Sequence, residues 1–340
     1  MSGSPSHAGP LRVGIAGAGH FGRYHALKAA ASDRVQLAGI YDPDTERAKT
    51  VGWEAGAPDM PFESLLTNID ALIVAAPAEV HHPLAAAALR AGKHVLVEKP
   101  VAATLAQADD LSRLAAAHGL VLQVGHLERF SSAFRALSAR IGSPLYVEAV
   151  RIAPFKPRGT DVSVILDLMI HDLDLVLALI GSPIETVEAV GAHIASAVED
   201  LANARLRVAN GAVAAITASR VSIRTERRMR IFARDTYVAV DFSTRKLTVI
   251  GRGIGQKLPG VEGFGIEETA WEDQDSLAAE HAGFYAAILD GAPVLVDVAA
   301  GRRALAAALM VGEAMRVSRA RMIDSGLLVA VQQSEDGGGG

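Results

Sequence analysis

Two short stretches hold residue types that could do chemistry together. The first is Gly17-Ala18-Gly19-His20-Phe21-Gly22, which fits G-x-G-x-x-G. Gly17 permits a tight turn, Gly19 lets the backbone approach a pyrophosphate, and Gly22 allows a helix to pack closely on a strand. A helix starting here offers unpaired N–H groups and its positive dipole end to phosphates. Twenty residues after Gly22 a strand-like run ends at Tyr41-Asp42, where an acid would meet ribose hydroxyls. The alternative is an ordinary glycine corner between strand and helix. Asp42 would repel a 2′-phosphate, so the expected cofactor is NAD in preference to NADP, although Arg47 could accept such a phosphate. The second stretch is Val97-Glu98-Lys99-Pro100. Lys99 there could hydrogen-bond a substrate hydroxyl or lose its proton and act as a base. A surface ion pair closed by a proline fits the same tripeptide.

Positioning these residues needs a scaffold, and the patterning predicts one. Short apolar runs at 11–16, 35–41, 71–76, 94–97 and 120–124 alternate with helical composition at 21–31, 44–51, 83–91 and 105–118. That alternation predicts an α/β unit with a doubly wound parallel sheet. Glu98 and Lys99 then fall at the carboxyl end of the fourth strand, the mouth of the ligand crevice. After Gly125 the rhythm changes. Helices are expected at 131–141, 164–179, 276–289 and 298–316. Strands are expected at 145–152, 184–195, 202–208, 212–221, 229–233, 236–242 and 246–250. Consecutive strands imply a second, α+β domain on an open, mostly antiparallel mixed sheet. The expected division is 11–125 for the cofactor and 126–330 for substrate and oligomerisation, with 1–10 and 334–340 as flexible ends.

Composition narrows the functional classes. A chain of 340 residues exceeds one small core. It has no cysteine, which excludes disulfides, thiolate metal sites and a cysteine nucleophile. A net charge of −5 argues against a general nucleic-acid binder. No run approaches the roughly 18 apolar residues of a membrane span, and the N-terminus lacks a signal-like pattern, so a cytoplasmic protein is expected.

The glycine turn, Pro77-x-x-x-His81, and Ala91-Gly92-Lys93-His94-Val95 leading into Glu98-Lys99-Pro100 together resemble the Gfo/Idh/MocA family of nicotinamide-dependent sugar and cyclitol dehydrogenases. Asp167-x-x-x-His171-Asp172 is similar to that family's Asp-x-x-x-His segment, and Glu280-x-x-x-Phe284 to its late helix. Ala78 stands where the family often has Asn. The resemblance implies a Rossmann domain and a cofactor site including His20, Phe21, Pro77, His81, Glu98 and Lys99. It implies Lys99 as the residue holding the reacting hydroxyl and His171 as general acid/base, for which an ordinary pKa near ~6.5 is suited. Asp167, four residues earlier on the same helical face, could orient the ring or contact substrate. A satisfied buried histidine is the plainer reading of His171.

The string Gly125-His126-Leu127-Glu128-Arg129-Phe130, with 169–175, resembles the family's nucleotide-sugar branch. That implies oxidation at C3 of UDP-linked N-acetylglucosamine on a route to the diamino sugar of lipid A. His126, Glu128, Arg129 and Asp172 would face substrate, while Arg151, Lys156 and Arg158 could meet its diphosphate. Solvated loop charge explains the basic residues equally well. Alternatives are a free-sugar or inositol dehydrogenase and a non-catalytic dinucleotide-binding regulator. His81, His82, Asp167, His171 and Asp172 could ligate a metal, but no ligand pair carries the usual outer-shell pattern, so none is expected. Association into a homodimer or homotetramer through the C-terminal sheet is expected.

Overall fold

The computed structural model describes residues 9–156, 162–272 and 274–328. Strands β1 (Leu11–Ala16), β2 (Val35–Tyr41), β3 (Ala71–Val74), β4 (His94–Glu98) and β5 (Leu122–Gly125) form a parallel sheet in the order β2-β1-β3-β4-β5. Helices α1 (His20–Ala30), α2 (Thr45–Ala55), α3 (Phe62–Asn68), α4 (His81–Arg90) and α5 (Leu105–His118) connect them. Both sheet faces are covered, so the strands are near-continuous apolar runs, and all four residues of β3 are buried. The order reverses direction between β1 and β3, which opens a crevice at their carboxyl ends. Helix boundaries follow local chemistry. α5 starts with a capping box between Thr104 and Gln107 and stops at Gly119, whose φ of 62° is left-handed.

The chain then enters α6 (Ser132–Ser138), β6 (Pro144–Ile152), a π-helical turn at Ile165–Met169, and α7 (Ile170–Ile180). Strands β7 (Ile184–Ala192), β8 (Leu201–Val208), β9 (Val213–Ser219), β10 (Glu226–Ala233), β11 (Thr236–Asp241), β12 (Lys246–Arg252), β13 (Gln256–Lys257) and β14 (Phe264–Ala270) join β6 in one nine-stranded sheet. Its order is β13-β14-β12-β11-β10-β6-β9-β8-β7, with only β6 and β9 parallel. Alternation sets its faces: in β8, Ala202, Ala204, Leu206 and Val208 are buried, while Asn203, Arg205 and Arg207 are exposed. The buried face shares a core with α7.

Two late helices tie the sheets together. α8 (Ser276–Leu289) inserts Phe284 and Tyr285 into the core that holds Leu11, Val13 and Ile15. Burying one such aromatic contributes roughly 1.5–3 kcal/mol. α9 (Val298–Asp324) places Ala300 and Leu305 in the parallel-sheet core and Val311 and Met315 in the other. Gly301 lies so close to Val124 that a Cβ there would sit 2.8 Å from it.

The structure departs from the sequence reading in several places, among them the short β13 at Gln256–Lys257. α3 follows Pro61 over only two turns, too short for periodicity to show. β14 holds Glu267 and Glu268 mid-strand, so it lacks an apolar run. α9 continues to Asp324, beyond 316. The helix expected over 164–179 is interrupted by the π turn at Ile165–Met169. Among the described residues no helix is long and apolar enough to cross a membrane.

Candidate active site

The glycine turn is built as its spacing requires. Gly17 has φ 101°, and a Cβ there would lie 2.5 Å from the Ala75 carbonyl oxygen. A Cβ on Gly22 would lie 1.8 Å from the Gly17 carbonyl oxygen, so helix and turn could not close. A Cβ on Gly19 would meet nothing within 4 Å. Gly19 therefore serves no internal contact, and the space over it is what an approaching phosphate needs. A cavity of about 470 Å³ opens there, lined by Gly19, Phe21, Asp42, Pro77, Glu98 and Lys99 among others. His20 and Phe21 are exposed at its rim, the His20 ring edge-on to those of Phe21 and Tyr24.

Asp42 is nearly buried. One oxygen accepts from the Ala18 N–H at 2.7 Å, the other from the Asp44 N–H at 2.9 Å. The acid thus ties the glycine turn to the end of β2 while lining the cavity. Arg47 also borders the cavity and is paired with Asp44 at 2.9 Å. Pro77 opens a 3₁₀ turn over residues 78–80. His81 is buried beneath it, its ring nitrogens 2.7 Å and 2.8 Å from the carbonyl oxygens of Ala76 and Pro100. It braces the Pro77 loop against the segment after Lys99 and has almost no exposed surface for a cofactor. His82 pairs with Asp110.

Lys99 closes the cavity. Its Nζ donates to the carbonyl oxygens of Asp167 (2.9 Å) and Leu166 (3.3 Å), both in the π turn. Such turns displace the regular i→i−4 ladder and recur at functional sites. Burial pushes the ammonium below its ordinary range, with Asp167 and Glu98 opposing and Arg151 adding to the push. Glu98 loses some charge stability to burial. Its bond from His25, the nearby Lys99 and the Lys99 N–H nevertheless hold it below the usual carboxylate range.

His171 begins α7 beside this lysine. Burial drives it well below the ordinary imidazole value, reinforced by Lys99, Arg151, His126 and Arg227. The expected value near ~6.5 therefore does not hold, because the ring sits among cations in a poorly hydrated pocket. Its Nδ1 is buried and has no hydrogen-bond partner among the described residues, so Asp167 does not orient the ring through it. Asp167 acts instead on Lys99, through its carbonyl and its charge.

The residues expected to face substrate have different surroundings. Arg151 is bidentate to Asp172 (2.8 and 3.0 Å) and reaches Glu128 at 3.4 Å. Burial opposes the Arg151 charge, but Asp172 and Glu128 raise its pKa further. Arg129 contacts Asp174 at 3.4 Å and lies over the Phe134 ring. His126 is buried with neither ring nitrogen bonded among the described residues, and burial lowers its pKa. Lys156 is exposed, and Arg158 lies outside the described residues.

Arg227 was not foreseen. It pairs in register with Arg151 across β10 and β6, on the sheet's inner face, and bonds Glu128. Its guanidinium also lies 4.6 Å from the Phe242 ring centroid. Like charges directly opposite destabilise a sheet, and here Glu128 and Asp172 offset them. Only the strand register reveals this pair, so no sequence signal marks it.

Residues 11–126 match the family described as oxidoreductases with an NAD-binding Rossmann fold, and residues 137–238 match the GFO/IDH/MocA C-terminal domain. The chain is 44% identical over 303 residues to UDP-N-acetylglucosamine 3-dehydrogenase of Acidithiobacillus ferrooxidans, covering 88% of this chain and 96% of that one. A solved structure of that enzyme superposes with TM-score 0.86 at 43% identity, covering 90% of this chain and 98% of that one. An inositol 2-dehydrogenase of Acidothermus cellulolyticus is 34% identical over 206 residues, covering 56% of this chain and 60% of that one. Scyllo-inositol dehydrogenase of Lactobacillus casei, solved with NAD(H) and scyllo-inositol, shares the fold at 21% identity and TM-score 0.77, covering 91% and 98%.

Proposed function

Because the chain belongs to the Gfo/Idh/MocA oxidoreductase family, we propose that it oxidises C3 of UDP-N-acetylglucosamine to the 3-keto sugar nucleotide, with NAD as its cofactor. The observation that carries this reading is the 44% identity to an enzyme of that activity over nearly its whole length. The protein is an oxidoreductase acting on CH–OH groups, with a nicotinamide dinucleotide fold. Inositol dehydrogenases are more distant relatives.

The dinucleotide fits the observed crevice. The open space over Gly19 admits a pyrophosphate, the first turn of α1 offers N–H groups, and Asp42 stands at the ribose position. A bound nicotinamide dinucleotide would supply the hydride acceptor for oxidation of the carbon that bears the reacting hydroxyl. Lys99 holds that hydroxyl at the cavity wall, steadied by the two π-turn carbonyls. His171, held neutral by burial, takes the hydroxyl proton. Glu128, Arg151 and Asp172 keep one another charged and fixed around the substrate side. The exposed Lys156 remains for the anionic part of the substrate, whereas Arg129 is held by Asp174. The assignment gives residues 11–125 to the cofactor and 126–330 to substrate.

Asp42 supports NAD over NADP by repelling a 2′-phosphate, and Arg47 is occupied by Asp44. The product suits an aminotransferase on a route to lipid A diamino sugars, in the cytoplasm. The outward face of the nine-stranded sheet carries Phe232 in ring contact with both Tyr146 and Tyr237, and supports a homodimer or homotetramer through that face.

NADH formation measured with UDP-N-acetylglucosamine, myo-inositol and glucose tests the substrate. Turnover of the nucleotide sugar alone is expected. Turnover only of a free polyol would refute the assignment.

A further inference from the structure

Behind Glu98, away from the cavity, lies a buried polar chain that the proposed reaction does not use. His25 on α1 bonds Glu98 Oε1 through Nε2 at 2.9 Å. His25 Nδ1 lies 2.8 Å from His281 Nε2, and His281 Nδ1 lies 2.9 Å from the Tyr285 hydroxyl. His25, His281 and Tyr285 are each at most 2% exposed. Glu280, fully buried on the same helix as His281, has neither carboxyl oxygen hydrogen-bonded. Ligand atoms of His25, Glu98 and Glu280 all lie within 4.8 Å of one another.

The donors and acceptors in this chain run one way. A carboxylate at Glu98 only accepts, so His25 Nε2 donates and its Nδ1 must accept. His281 then donates from Nε2, and its Nδ1 accepts from the Tyr285 hydroxyl. Reversing the order would leave the Tyr285 O–H buried without an acceptor among the described residues. Two ionised carboxylates this close in a dry interior repel strongly, and of the two only Glu98 has donors among the described residues.

We propose that Tyr285, His281 and His25 form a one-way hydrogen-bond relay that positions Glu98 as a carboxylate beside Lys99, while Glu280 next to it is a neutral carboxylic acid. The pair holds one proton, and the relay keeps it on Glu280. The groups facing Glu98 are His25 from α1, Lys99 just beyond the end of β4, His126 beyond β5 and Glu280 from α8. Those facing His281 are His25, Lys28, Asp275 and Tyr285. The same direction follows electrostatically. Burial, then Glu98, raise Glu280 well above the carboxylate range, and burial lowers His281 to about 3. The Glu98 charge supports the Lys99 ammonium. The histidines, Tyr285 and Glu280 are positioning residues in this scheme. The protonation assignment stands apart from the substrate proposed above, and its infrared test needs no turnover.

The infrared difference spectrum between the full-length protein and its Glu280→Gln variant should show the carbonyl stretch of a buried protonated acid, present only in the wild type. Absence of that band overturns the proposal. So does metal analysis finding one divalent cation per chain that Glu280→Gln loses. Activity supplies a second arm. His25→Ala should lower kcat/KM about 10- to 100-fold and move the Lys99 limb of the pH profile to lower pH, because losing the Glu98 charge disfavours the ammonium. His25→Gln, which restores a donor near Nε2, should recover most of both effects. Equal damage in the two His25 variants with an unmoved limb would make the chain merely structural and overturn the positioning role.

Discussion

On the parallel-sheet side of Lys99, Tyr285, His281 and His25 lead to Glu98 through hydrogen bonds between groups that mostly stay neutral. On the nine-stranded side, Arg151, Arg227, Glu128 and Asp172 hold one another through ion pairs, with Arg227 Nε left without a hydrogen-bond partner among the described residues. Both assemblies are largely withdrawn from water, where an unpaired polar group is costly. The neutral chain passes its directionality along one file, so a break removes one bond at a time. The ionic cluster shares each charge between partners, so a break strands a charge. The neutral chain should therefore respond to pH, and the ionic cluster to truncation.

Truncating the ionic cluster should produce the largest change. Arg151→Met leaves Asp172 and Glu128 short of a cation at sites that are 4% and 16% exposed, and should destabilise the fold by about 3–5 kcal/mol. Urea unfolding at pH 7.5 reads this, and a loss under about 1 kcal/mol would erase the contrast between the two assemblies.

The neutral chain should show its effect against pH. The folded protein holds His281 at about 3, whereas the unfolded chain has it near ~6.5. Between those values the unfolded state binds a proton that the folded state refuses, so stability falls as pH drops below about 6.5. His281→Gln should flatten this slope by up to about 1.4 kcal/mol per pH unit. Unfolding midpoints at pH 7 and pH 5 test this, and an unchanged slope counts against a neutral His281. Tyr285→Phe removes only the terminal donor. A loss of about 1 kcal/mol is expected, with the pH slope kept.

Much of the cofactor side was legible in the sequence because backbone geometry dictates it. Gly17 and Gly22 are glycines since a Cβ would strike backbone at 2.5 and 1.8 Å, and such demands mark a sequence sharply. Lys99 and His171 were legible through their motifs. What those motifs could not show was the state of the side chains. His171 is far below its ordinary pKa because it is buried and because Lys99, Arg151, His126 and Arg227 converge on it from separate parts of the chain. His25 and His281 meet across 256 residues of chain, so neither histidine announces the other. Arg227 meets Arg151 only through the β6–β10 register. Asp167 looked like a partner for His171, but the π turn aims its carbonyl at Lys99 instead.

The most direct test of the account is the Lys99→Met variant, examined for cofactor binding and turnover together. NAD affinity by calorimetry should stay within about threefold, since the glycine turn and Asp42 are untouched. kcat for NADH formation from UDP-N-acetylglucosamine should fall about 10²- to 10⁴-fold. Turnover within a few-fold of wild type, with NAD still bound, would contradict the role of Lys99 and with it the reading of the crevice as the active site.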